Sequence, residues 1–143
     1  MRKTFVQVFV VAFLIILLNE SCSSKGSGGS GGGGGTSEAN LVVVTNPPAG
    51  SSQPAAPQTD FPLTVSITSV MPPQGVSIDV KAAPDGSSAN FFTQSIASTS
   101  STNTNFTITG TPTGVVCVTT VTVTSKSKPT NTVTLSYRYS RKP

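Results

Sequence analysis

The stretch VSIDVKA, residues 76–82, alternates without a break: Val76, Ile78, Val80 and Ala82 are apolar, and Ser77, Asp79 and Lys81 are polar. Successive side chains of a β-strand point to opposite faces, so this stretch lays one face on a core and turns the other to water. The same reading extends outward along the chain. Between Thr132 and Ser140, Val133, Leu135, Tyr137 and Tyr139 fall on one side, with Thr134, Ser136 and Arg138 on the other. Leu63, Val65 and Ile67 form a further apolar face, as do Phe106 and Ile108. From Val115 to Thr124 the run is longer and apolar on both parities at its start, which predicts a central strand with Val115, Cys117, Val121 and Val123 inward. Asn90–Ala97 completes the set.

Turn chemistry separates these runs at short spacing. Met71-Pro72-Pro73-Gln74-Gly75, Pro84-Asp85-Gly86-Ser87, Thr111-Pro112-Thr113-Gly114 and Lys128-Pro129-Thr130-Asn131 each carry the Pro, Gly, Asp or Asn that turns require. Ser and Thr supply 30 of the 83 residues from Phe61 to Pro143, and Thr alone 17. β-Branched residues such as Thr are poor helix formers but fit a half-buried pleated surface. The expectation is an all-β fold, an antiparallel β-sandwich of six strands, or seven if the island Leu41–Thr45 adds an edge. The arrangement resembles immunoglobulin-like sandwiches of the small bacterial and fibronectin types. It carries no Trp and no second core cysteine to assign a particular family.

Upstream of residue 61 the chain changes character. Arg2 and Lys3 precede Phe5–Leu18, 14 positions broken only by Gln7, and small polar residues follow. That is the layout of a secretory signal peptide, and it falls short of the roughly 20 apolar residues that a spanning helix needs. Leu18-Asn19-Glu20-Ser21-Cys22 then resembles a relaxed form of the lipobox of bacterial lipoproteins, with the small Ser21 before Cys22 and with Asn19 and Glu20 departing from the strict pattern. The resemblance implies cleavage before Cys22, residues 1–21 as the signal, and a diacylated Cys22 as the membrane attachment point. It also implies a place in the cell envelope. Ser23 in the position after the modified cysteine is compatible with the outer membrane.

Each buried CH₂ of an acyl chain contributes ~0.8 kcal/mol, and two or three chains on one cysteine hold a protein firmly where a single chain does not. A tethered domain also needs a spacer. Residues 22–60 read as lipidated cysteine plus disordered linker, Gly- and Ser-rich to Ser37 and punctuated by Pro47, Pro48, Pro54 and Pro57. Flexible scaling gives such a segment a reach of roughly 35 Å. Gly31–Gly35 lacks the preceding strand, the following helix and the Lys-Ser or Lys-Thr of a phosphate loop. The folded domain is expected at residues 61–143.

Catalysis is hard to build from this composition. The chain has no histidine, the commonest general base and metal ligand. Downstream of Cys22 the only carboxylates are Glu38, Asp60, Asp79 and Asp85, too few for a calcium site of six to eight oxygens. No enzyme activity, cofactor or metal is expected. Cys117 lacks a partner once Cys22 is acylated and reads as a buried thiol.

Nine Lys and Arg against five Asp and Glu give a net charge of +4. Lys126 and Lys128 fall in the hairpin before the last strand, and Arg141 and Lys142 follow it, so the cations do not make one stripe. Nucleic-acid binding wants a denser stripe with aromatic stacking partners and is not expected. Asn105-Phe106-Thr107 matches a glycosylation sequon by spacing, with Phe106 inward. The functional expectation is a non-catalytic interaction or structural module on a membrane anchor. Its partner would be an envelope protein or a glycan. A carbohydrate-binding or adhesive domain would need exposed aromatics from Phe91, Phe92, Tyr137 or Tyr139, whereas an accessory subunit of an envelope assembly would present an open sheet edge.

Overall fold

A computed structural model describes residues 37–143. The expected signal peptide, Cys22 and the linker to residue 36 lie outside the described residues. Seven strands form: β1 (Val43–Asn46), β2 (Phe61–Ile67), β3 (Val76–Pro84), β4 (Phe92–Thr99), β5 (Asn103–Ile108), β6 (Val116–Ser125) and β7 (Thr132–Ser140). They pair antiparallel into a three-stranded sheet, β1-β2-β5, and a four-stranded sheet, β4-β3-β6-β7. Relabelled in chain order as A, B, C, C′, E, F and G, these are the A-B-E and C′-C-F-G sheets of an immunoglobulin-like β-sandwich.

The alternation at residues 76–82 translates directly into the core. Val76, Ile78, Val80 and Ala82 are buried and meet Leu63, Val65 and Ile67 from β2, Phe106 and Ile108 from β5, and Val121 and Val123 from β6. Full burial of a Val, Ile or Leu side chain stabilises by about 1.5–3 kcal/mol each. The only ion pair among the described residues, Arg138 with Asp85 at 3.0 Å, has both side chains about half exposed, and such pairs contribute at most about 1 kcal/mol. Apolar burial between the sheets therefore dominates the stability. Gly75 closes the β2–β3 turn at φ +73°, and a Cβ there would collide with the carbonyl of Thr99. Only glycine suits that position.

Three expectations change. The domain does not begin at Phe61. Leu41 and Val43 are buried in the core, and β1 pairs with β2 in the register Val43↔Ile67 to Asn46↔Thr64. After a cis Asn46-Pro47 peptide the chain crosses to the other sheet and runs along the outer edge of β7. Gly50 and Gln53 donate backbone N–H groups to Ser136 O (2.7 Å) and Arg138 O (2.8 Å), and Arg138 donates in return to Ser51 O (2.9 Å). Ala56 donates to Ser140 O (3.1 Å) and accepts from Lys142 N (2.8 Å). Prolines stand between these bonds, where no N–H is needed. The Pro-rich half of the expected linker is thus a cover for an edge strand.

The second change concerns Val115, expected inward but 38% exposed. The β6–β7 ladder ends at Val116↔Ser140, and Val115 lies beyond it, next to Gly114 at φ +72°. Its parity matches Cys117, yet no ladder partner stands opposite it. The third change is that expected strand three runs Phe92–Thr99 rather than Asn90–Ala97, because the β3–β4 connection extends through Phe91.

A chain starting at Phe61 would lose the burial of Leu41 and Val43 and bare the edge of β7. Its unfolding free energy is expected to fall by about 3 kcal/mol or more relative to a chain starting at Ser37, as read by denaturant melts. Equal midpoints would mean that residues 37–60 contribute nothing. Leu63→Ala should cost about 2–5 kcal/mol in the same assay, and the exposed Thr134→Ala about 0.5 kcal/mol or less.

Candidate functional site

Cys22, the expected attachment point, lies outside the described residues, but the place where the chain enters the sandwich is defined. Asn131, at the end of the β6–β7 turn, is buried and holds the entering segment from both ends of its amide. Its Oδ1 accepts from Leu41 N (2.9 Å), and its Nδ2 donates to Glu38 Oε1 (2.7 Å) and to Ala39 O (2.9 Å). Ser127 Oγ donates to the second Glu38 oxygen. The Ser127 and Asn131 hydrogen bonds, with Lys128 nearby, hold the Glu38 carboxyl below the usual carboxylate range. The sequence shows Asn131 only as a turn residue. That its amide fastens a segment some ninety positions away is set by the fold.

This entry point lies beside Lys126 and Lys128, while Arg141 and Lys142 follow the far end of β7. Lys126 and Lys128 are therefore separated from Arg141 and Lys142, and Lys81 stands apart from both on the exposed face of β3. Arg138, on the exposed parity of β7, is engaged by Asp85 of the β3–β4 turn.

Inside the sandwich the candidate reactive groups are buried, with Tyr137 and Tyr139 at the floor of a surface concavity. Cys117 is fully buried, its Sγ is 3.6 Å from Val115 O, and burial pushes the thiol up. A thiol needs thiolate character and access to react, and this one has neither. Tyr137 and Tyr139 are both buried. Tyr139 OH lies 3.1 Å from Thr111 Oγ1, and its ring packs on Phe61 with centroids 4.5 Å apart. Thr119, directly opposite Tyr137 in the ladder, was not assigned to the core by the alternation, yet it is fully buried. Among the described residues Thr119 Oγ1 and Tyr137 OH have no partner within hydrogen-bond geometry. Burial pushes the Tyr137 phenol up to about 12.

Two concavities open on the surface. One of about 170 Å³ lies between the crossing segment and the sandwich, lined by Pro47, Gln53, Pro54, Gln58 and Phe61 among others. The other, about 340 Å³, is a groove of mixed character under the β3–β4 turn, with Lys81, Asp85 and Asn90 beside Pro84 and Val118 on its walls. Among the described residues no group of three or more His, Cys, Asp or Glu side chains converges to hold a metal. Phe91 and Phe92 are both half-buried and packed on the core, so no described aromatic ring is exposed. No protein-family model, curated protein or solved structure matches the chain.

Tyr137 gives a pH test of the core. Its folded pKa exceeds the unfolded value, so the unfolded state releases the phenolic proton first and stability falls as pH rises. Stability should hold below pH 10 and decline between pH 10 and about 12, and Tyr137→Phe should reduce that decline. Alkaline denaturant melts of the two proteins, read alongside phenolate absorbance, test this; identical pH profiles would refute the assignment to Tyr137.

Proposed function

We propose that this chain is a lipid-anchored protein of the bacterial cell envelope, attached through Cys22, whose β-sandwich serves as a non-catalytic interaction or structural module. The observation that carries the reading is the order of segments: a basic start, a short apolar run, Ser21-Cys22, a Gly/Ser stretch, then a β-sandwich. Acylation at Cys22 needs a short apolar run before the cysteine, which the sequence supplies at Phe5–Leu18, and a Gly/Ser-rich stretch follows it. The outer membrane is the proposed location, on the residue that follows Cys22.

The absence of histidine and the burial of Cys117, Tyr137 and Tyr139 favour a binding or structural role over catalysis. The adhesive, sugar-stacking alternative has less support, because stacking needs an exposed ring and the described aromatics are all buried or half-buried. A partner protein in the envelope suits the exposed Ser, Thr and Asn surfaces better. Nucleic acid has no support in the cations of the described residues, which are scattered rather than gathered in a stripe.

Intact-mass analysis of the membrane-extracted protein and of a Cys22→Ala variant, with fractionation of both, tests the anchor. The expected result is a mature N-terminus at Cys22 carrying acyl mass, with the variant lost from the membrane fraction. An unmodified protein released from cells would overturn the reading.

A further inference from the structure

The two flanks of the sandwich are treated differently. On one flank the crossing segment Gly50–Ala56 satisfies the outer edge of β7. On the other flank β4 and β5 are edge strands, and neither has a neighbour beyond it among the described residues; β1, the remaining edge, is only four residues long. Natural proteins guard such edges with charge, proline or a covering loop. Here β4 and β5 contain no proline, and no charged residue occurs between Asp85 and Lys126.

The free groups on β5 can be named. Ile67 N–H donates to Thr102 O at 2.8 Å, and the same register continues as Val65↔Thr104, Leu63↔Phe106 and Phe61↔Ile108. Hydrogen-bonded and non-hydrogen-bonded pairs alternate in an antiparallel ladder. Thr104, Phe106 and Ile108 therefore direct their backbone groups at β2, and Asn103, Asn105 and Thr107 direct theirs outward. Two details agree with this phase. Thr107 stands opposite Pro62, which has no N–H to give, and the outward carbonyl of Asn103 accepts a hydrogen bond from Ser101 Oγ (2.6 Å).

We propose that β5 is a self-association edge, taking the β5 strand of a second copy of this chain in an antiparallel pair with its two-fold axis at Asn105. The outward groups are self-complementary about that residue. Asn105 exchanges two backbone hydrogen bonds with Asn105 of the second copy, and Asn103 faces Thr107 in both directions. Thr64 and Ser66 donate to the Oδ1 atoms of Asn105 and Asn103, leaving the amide Nδ2 donors of both for a cross-strand partner. The absence of charge at this edge permits a second copy and offers no complement to an oppositely charged partner. A chain of net charge +4 repels its twin, and the uncharged β4–β5 flank is where two copies approach with least repulsion. Pairing joins two three-stranded sheets into one of six strands. The proposal does not depend on acylation of Cys22.

Disulfide trapping tests it in the full-length chain carrying Cys22→Ala, so that buried Cys117 is the sole native thiol. A hydrogen-bonded antiparallel pair places Cα atoms about 5.5 Å apart, within the range a disulfide spans. Asn105→Cys should form a covalent dimer of twice the chain mass on mild oxidation. It should do so roughly tenfold faster than Thr134→Cys on the exposed face of the other sheet, because pairing raises the effective concentration of the two thiols. Adding Thr107→Pro, which removes an outward N–H that the single chain does not use, should abolish the excess while leaving the thermal unfolding midpoint of the domain nearly unchanged. Equal rates at positions 105 and 134 would overturn the proposal. So would an Asn105→Cys adduct with a different protein, or an excess that survives Thr107→Pro in a folded chain.

Discussion

The ladder between β3 and β6 is the interaction on which the remainder of the structure depends. It runs for nine pairs, from Val76↔Ser125 to Pro84↔Cys117, through the middle of the four-stranded sheet. Its inward row from β3 is Val76, Ile78, Val80 and Ala82, and its inward row from β6 includes Cys117, Thr119, Val121 and Val123, all buried. A one-residue slip would turn Ser77, Asp79 and Lys81 into the core, and burying an unpaired charge costs far more than any single apolar contact returns. Register is therefore held by chemistry on both faces. β4 and β7 pair onto the two sides of this ladder, and the three-stranded sheet closes over its inner face.

The sandwich handles its edges with the same economy on one side only. Proline in residues 47–57 denies a regular strand there, yet the N–H groups of Gly50, Gln53 and Ala56 still reach β7. An edge covered in this way cannot template another chain. The β4–β5 flank has neither cover nor charge, and this asymmetry is what makes β5 a candidate for association.

The period-two runs at 63–67, 76–82, 106–108 and 132–140 are each fully consistent with the observed strands, and Pro- and Gly-bearing stretches separate them. Alternation works here because one face of every strand is solvated, so polarity reports direction. It fails at Thr119, where a hydroxyl stands on the inward parity, and at Val115, where an apolar residue lies past the end of the ladder. Neither case breaks a local rule; each depends on what the opposite strand supplies. The proposed anchor lies on different ground, since Cys22 is read from the order of segments alone, and the described residues add only the place where the chain enters the sandwich.

By itself the sequence determined the class of fold, the strand faces and the lack of a histidine-based or carboxylate-rich site, since all of these follow from local composition and spacing. Tertiary structure alone decided that Leu41–Ala56 belongs to the domain, that Asn131 fastens Glu38 and Leu41, and that β7 is covered while β5 is open. Those outcomes rest on contacts between residues about eighty to ninety positions apart, such as Leu41 with Asn131 and Gly50 with Ser136. A Gly- and Pro-rich segment carries no periodic signal of its own, and whether it is linker or edge cover depends on the free backbone groups it meets.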